Sequence, residues 1–424
     1  MAEDDGKVKC VDENGAATSP QVLRRVNARR VLEYAWRAGA FTASDAMAAT
    51  GLTRSTVIGV CDELLRQGWL DELRDARAVG AYTKGRPARR YALRDRAAVV
   101  IGVDAGHDHI SATVADLRGT PIGRHGAEIA AVRPDRPERL ADAGRRRALV
   151  RTAIDGALAD AGVDASSVLA ITVAVPAPVD RDGASPVENP FWRVANPGYS
   201  EFLGADAAVV TVENDANLAA IAERSAPDGG GRDADSFIAL MTGEGMGAGL
   251  MIDGRLIRGR RGAAGELRFL DHVDGVGSSD GLALLARRWA VEAITASEVG
   301  EGALAHLDPA TLDEAEVGLA AASGDPAAVA ITDRLAERLA RICLVLGDLL
   351  DVDRVVVGGT VADTLPDVID RAGRILDDSD DPTAPELRRS ALGEDSVTIG
   401  AIEHALAEVR SRALDLTPSA RPAA

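Results

Sequence analysis

Apolar positions recur along this chain in two different periods, and the change comes near residue 98. Before it the spacing is helical. VLRRVNARRVLEYAWRAG puts Val22, Val26, Val31, Leu32 and Ala35 near one face, with arginines elsewhere and Gly39 as a stop, which predicts a first helix. SDAMAATGLTRSTVIGVCDELLRQGWL predicts a short helix from about Ser44 to Thr50 and a turn at Gly51. A third helix follows, capped by Thr53 and running to about Gln67, with Val57, Val60, Cys61 and Leu64 at helical spacing. WLDELRDARAVGAYTKGRPARRYALR then reads as a strand, a loop and a returning strand. Together these elements spell a winged helix-turn-helix over residues 19–97, behind a polar, disordered leader at 1–18.

After residue 98 short buried strands alternate with helices. AVVIGVDAGHDHISATVADLRGTPI predicts a strand, a glycine turn, a second strand and a hairpin. A helix follows from about Pro137 to Ala161, and VLAITVAVPAPVD makes another buried strand. AVVTVENDANLAAIAERS is a strand leading into a helix. LMTGEGMGAGLMIDG is a strand opening a glycine-rich loop, and the long helical run ending in CLVLGDLL leads into VDRVVVGGTVADTL. The pattern is α/β, with carboxylates and glycines at strand ends, where such sheets bind ligands.

Composition adds three constraints. A chain of 424 residues exceeds one ordinary core, so two or three domains are expected. It has no apolar run of membrane-spanning length, and acids follow Met1 where a signal peptide carries positive charge, so the expectation is a cytoplasmic protein. Cys10, Cys61 and Cys343 are far apart and form no CxxC, which points to reduced thiols rather than disulfides or a cysteine zinc site.

The net charge of −18 is unevenly spread, for residues 20–98 hold 15 Lys and Arg against 8 Asp and Glu. A basic head is joined to an acidic body, and that reverses the usual inference from an acidic total. In a helix-turn-helix the second helix enters the major groove, here with Thr53, Arg54, Ser55, Thr56 and Gly59 at its start. Lys84, Arg86, Arg89 and Arg90 lie on the wing, where Gly85-Arg86-Pro87 is slim and cationic enough for a minor groove. A three-helix bundle with a solvated basic face, or a wing used for protein contacts, fits the same pattern.

From Val22 to about Val409 the chain resembles the ROK family, sugar kinases and repressors of two-lobed actin-like ATPase (ribonuclease H-like) fold. VDAGHDHISATVADLRG looks like that family's first phosphate motif and VENDANLAA its catalytic-aspartate motif. GEGMGAGLMIDGRLIRGRRGAAGEL looks like the second phosphate motif, VVVGGTVA the adenosine motif, and ENPFW the sugar-contacting stretch. The winged helix is similar to that of the family's transcription factors of xylose-repressor type. The resemblance implies a ROK domain over 98–413, one lobe from about 98–213 with 398–413 and the other from 214–397, and a disordered tail at 414–424.

It also implies that Asn189, Asn214, Asp215 and Glu266 surround a sugar or related polyol. Asp215 would be the base in a kinase; from the residues alone it can also be a helix N-cap, which is compatible with either role, and Trp192 can be core. Two departures bear on activity. Where the family has Gly-Gly-Thr after the first aspartate region, here marked by Asp104, this chain has Gly106, His107 and Asp108; where it has Gly-Thr-Gly, this chain has Gly243, Glu244 and Gly245. At an effective dielectric of about 20, a like-charge contact at 4 Å costs on the order of 4 kcal/mol, so phosphoryl transfer is expected to be lost. Gly358 and Gly359 of the adenosine motif can simply close a strand against a helix.

Family members often have Gly-His and a cysteine-rich loop where this chain has Arg268 and Phe269, and His272 alone cannot hold zinc. Neither a metal nor any other cofactor is expected. The sequence therefore predicts a DNA-binding repressor that senses a sugar and acts as a homodimer or homotetramer on a palindromic operator, without membrane contact. The alternatives are a working carbohydrate kinase with an added DNA-binding domain, and a ROK scaffold that binds no ligand.

Overall fold

A computed structural model of the protein describes residues 19–73, 88–107, 109–128 and 142–418. Its first helix, α1 (Pro20–Arg37), starts at the Ser19 cap with Pro20 in its first turn, where a missing N–H costs nothing. Ala28, Val31, Leu32, Ala35 and Trp36 form its buried face, whereas Val22 and Val26 are 50% and 44% exposed. The apolar stripe expected from Val22 onward is thus wrong at its start: at 3.6 residues per turn those two valines lie roughly 120–160° around the helix from Ala28.

The head continues with β1 (Phe41–Thr42), α2 (Ala43–Thr50), α3 (Arg54–Arg66), β2 (Leu70–Leu73) and β3 (Arg90–Leu93). A capping box between Thr42 and Asp45 starts α2, and Gly51 ends it at φ +70°, a conformation that favours glycine. Thr53 caps α3, whose Val57, Val60, Cys61 and Leu64 are buried. The sheet order is β1-β3-β2, all antiparallel, so two residues too short to show a period supply a third strand. Lys84 and Arg86 lie outside the described residues.

The body contains two five-stranded sheets of one topology. The first is β4 (Val99–Ala105), β5 (His109–Asp116), β6 (Pro121–Glu128), β7 (Val168–Val175) and β8 (Val209–Asn214), in the order β6-β5-β4-β7-β8. The second is β9 (Phe237–Met241), β10 (Gly247–Ile252), β11 (Arg255–Ile257), β12 (Arg354–Gly358) and β13 (Glu386–Arg389), in the order β11-β10-β9-β12-β13. In each, an antiparallel meander is extended by two parallel strands. The central strands β4, β7 and β12 are buried at every position, which is why they read as unbroken apolar runs.

Helix α4 (Ala143–Ala161) packs on β5 and β6 of the first sheet; Asp142 caps it, several residues later than the expected Pro137. The short α5 (Pro190–Ala195) and α6 (Tyr199–Phe202) precede β8, and α7 (Asp215–Ser225) follows it. Then α8 (Leu282–Thr295), α9 (Glu314–Ala322), α10 (Pro326–Leu350), α11 (Val361–Thr364) and α12 (Pro366–Asp377) share one apolar core with the second sheet. The last helix, α13 (Ser396–Arg412), returns to the first sheet and crosses α7. That crossing is a backbone contact, because a Cβ at Gly400 would sit 1.9 Å from the Leu218 carbonyl oxygen.

Head and body are joined by a continuous core in which Leu32, Trp36 and Trp69 pack with Val100, Leu117, Ile402, Leu406 and Val409. The expected tail at 414–424 is wrong at its start, since Leu414 and Leu416 pack on this core and Asp415 pairs with Arg25 at 2.8 Å. Among the described residues no helix is long and apolar enough to cross a membrane.

Candidate ligand site and nucleic-acid interface

Strand β4 ends at Asp104, whose carboxylate is buried and pairs with His109 Nε2 at 2.9 Å across the turn. Beneath that turn lies Arg146 of α4, itself only 4% exposed. It donates to the carbonyls of Ala105 and Gly106 at 2.6 and 2.9 Å, fixing the loop from behind. The His107 ring stacks on Phe191 with centroids 4.8 Å apart and so ties the loop to α5. Asp108 lies outside the described residues.

At the end of β8 the chain turns into α7, and Asn214 is the cap: its Oδ1 accepts from Asn217 N at 3.1 Å while its Nδ2 donates to the Ala177 carbonyl at 3.2 Å. The N-cap reading of Asp215 is therefore displaced by one residue. Asp215 opens the helix and accepts from Ala216 N at 2.8 Å. Burial pushes its carboxyl up to about 7, aided by the negative charges of Asp104 and Glu266 and opposed by the Ala216 amide. Glu266 is likewise raised by burial and is partly offset by Arg268. Three carboxylates from β4, α7 and the loop after β11 thus share one site.

Asn189 is differently engaged. Its Oδ1 caps α5 by accepting from Phe191 N at 2.9 Å and Trp192 N at 3.3 Å, so the acceptor expected to meet a ligand holds the helix start. The side-chain oxygens of Asn189 and Asn214 are thus spent on helix starts, which leaves the carboxylates as the acceptors of this candidate site. Acceptors of this kind suit neighbouring hydroxyl groups.

The glycine loop after β9 is folded back on α8. Carbonyls of Thr242, Gly243 and Glu244 accept from Leu282 N, Leu284 N and Gly281 N at 2.8, 3.3 and 2.9 Å. The Glu244 carboxylate meets the Arg287 guanidinium, which also pairs with Glu314 at 2.7 Å. The like-charge penalty expected at Glu244 is thereby softened; a carboxylate inside the loop now occupies the cation instead. Gly243 and Gly245 lack positive φ, and among the described residues nothing beyond their chain neighbours lies within 4 Å of where a Cβ on either would stand, so packing of the described residues does not require them. Gly359 does have a local reason, φ +75°, and Gly358 lies close to the Met241 sulfur.

Arg146, Arg287 and Arg258 went unnoticed in the sequence. Arg258 reaches from the end of β11 to Glu213 on β8 at 2.5 Å, clasping one sheet to the other. A single arginine in an amphipathic segment carries no periodic signal, and its partner is settled only by folding.

On the head, Arg54 and Ser55 are exposed at the start of α3, while Thr53 and Thr56 bond each other at the cap. Arg89, expected to meet DNA, is bound by Asp62 at 2.8 Å and Glu72 at 2.7 Å and ties the start of β3 to α3 and β2. Arg90 lies in β3 opposite Thr42. Part of the head's positive surplus is also turned inward, since Arg25 meets Asp415 and Arg29 donates to the Ser411 carbonyl at 2.7 Å.

Residues 100–408 match the ROK family, which extends over both sheets and all three carboxylates. The chain belongs to the ROK family. Its fold is that of a solved ROK family transcriptional regulator, a homologue of the E. coli MLC protein: TM-score 0.68 at 20% identity, covering 91% of this chain and 96% of that one. A glucokinase of Streptomyces coelicolor is 29% identical over 62% of this chain and 83% of its own length. A xylose repressor of Caldicellulosiruptor bescii is 25% identical over 51% of each. The ROK relatives thus include both enzymes and regulators, and the match to the regulator structure extends into the head.

Proposed function

We propose that this ROK protein is a sequence-specific DNA-binding repressor whose body binds a sugar or related polyol without phosphorylating it. The observation that carries this reading is the pairing of Glu244 with Arg287 inside the second glycine loop. Phosphoryl transfer relies on positioning and on stabilising charge at the phosphates, and a resident carboxylate competes for both. The remaining groups, Asp215, Asp104 and Glu266, accept hydrogen bonds from hydroxyls. The regulator likeness and the exposed start of α3 support the DNA half. Two heads of a homodimer would read a palindromic operator in the cytoplasm, and sugar binding would favour one arrangement of the lobes.

The test has two arms. Full-length protein should enrich a palindromic sequence from a random duplex pool, and D-glucose or D-xylose should bind by calorimetry with no sugar-dependent ADP release. Failure to enrich any duplex defeats the repressor reading.

One observation favours a carbohydrate kinase instead. Asp215 opens α7 with the carboxylates of Asp104 and Glu266 near it, and burial raises its carboxyl towards the range in which a general base works at neutral pH. Brisk sugar-dependent ATP turnover that vanishes in Asp215→Ala would establish that reading.

A further inference from the structure

Among the described residues, six glycines lie inside helices beyond the first turn, at positions 59, 156, 318, 347, 373 and 400. Four of them are demanded by packing. A Cβ would lie 2.3 Å from the His125 ring at Gly156, 2.5 Å from the Thr364 carbonyl at Gly318, 2.7 Å from Pro385 at Gly347 and 1.9 Å from the Leu218 carbonyl at Gly400. Gly373, in the body, has ordinary room. Gly59 stands apart: it is exposed, its φ is not positive, and among the described residues nothing beyond its own helix lies within 4 Å of where its Cβ would be.

Glycine is the poorest helix former after proline, so an exposed interior position with free space is one where alanine should serve better. Nothing among the described residues accounts for it. The outward face that carries Gly59 also carries Ser55 one turn earlier and Asp62 one turn later, and the Asp62 charge is answered by Arg89 at 2.8 Å. That leaves a patch of bare backbone between the exposed Arg54–Ser55 start and a neutralised carboxylate, on the second helix of a helix-turn-helix pair.

We infer that Gly59 is a specificity-determining position at which the wall of a DNA groove lies directly against the backbone of α3. This rests on the DNA reading proposed above. The missing side chain allows the helix to sit deeper in the groove and brings Arg54 and Ser55 to the base edges.

The experiment uses the full chain and the duplex that the wild type selects from a random pool. Gly59→Ala and Gly59→Leu should melt at or above the wild-type temperature, because the site is open and the new residues favour helix. Affinity for the selected duplex should fall at least tenfold in Gly59→Leu and less in Gly59→Ala. A Gly59→Leu protein that binds within twofold of wild type overturns the inference while leaving DNA binding intact. A wild type that selects no duplex removes the DNA reading itself, and the inference with it.

Discussion

The indole Nε1 of Trp36, near the end of α1, donates to the carbonyl of Leu117 across 2.9 Å. One residue belongs to the head and the other follows β5 of the body's first sheet. Next to them Arg118 donates to the carbonyls of Trp36 and Ala38, each at 3.0 Å, closing the otherwise open end of α1. The head is therefore fastened to the first sheet through buried contacts, and β5 runs from His109 at the carboxylate site to this junction.

Trp36→Phe should leave the Leu117 carbonyl buried without its donor and lower stability by about 1–3 kcal/mol. Urea denaturation of the full chain reads this. Unchanged stability, with a single transition, would show that the indole bond contributes nothing to the junction.

The pH behaviour of Asp215 has a definite sign. Its folded carboxyl titrates at about 7, above the ordinary value of 3.8. Between about 4 and 7 the folded chain therefore holds a proton that the unfolded chain has released, and stability is lost as pH rises through this window. Asp215→Asn keeps an acceptor for the Ala216 amide and removes the charge. Its melting temperature should exceed that of the wild type at pH 8, and the gap should shrink at pH 4.5. An equal gap at both values would mean that the carboxyl is not held above its ordinary range.

Gly400→Ala sets helix propensity against packing. Propensity alone favours alanine by up to about 1 kcal/mol. The Cβ would nonetheless fall 1.9 Å from the Leu218 carbonyl oxygen, and overpacking of this kind costs typically about 1–3 kcal/mol. A net loss of stability is expected, with faster proteolysis between the two sheets; a more stable variant would place the α7–α13 contact wrongly.

Arg54 and Arg89 should behave differently despite their common charge. Arg54→Ala removes an exposed cation at the start of α3 and should weaken duplex binding and reduce its salt dependence by about one unit of slope. Arg89 is bound by two acids, so Arg89→Ala should reduce binding less. Exposed pairs of this kind contribute only about 0–1 kcal/mol, and folding should hardly change. Titrations at two salt concentrations separate the two variants.

Local pattern determined a good deal. Period and cap residues placed α2 and α3 within a residue or so, because Thr53 and Gly51 act on the chain beside them. Unbroken apolar runs marked β4, β7 and β12, since strands buried on both faces cannot alternate. The family resemblance, rather than local pattern, set Asp215 and Glu266 with Asn189 and Asn214 around a ligand and gave Asp104 only as part of a phosphate motif. What no local pattern carries is which groups meet across elements. The cap at Asn214, the engagement of Asn189, the Arg287 partner of Glu244 and the turn-bracing Arg146 each join residues whose encounter depends on how the sheets and helices of the body pack. The same holds for the exposed valines of α1, for a helix buries only the face its neighbours reach. Sequence thus determined the elements and the kinds of chemistry; the tertiary structure alone decided which charges are answered and by which partners.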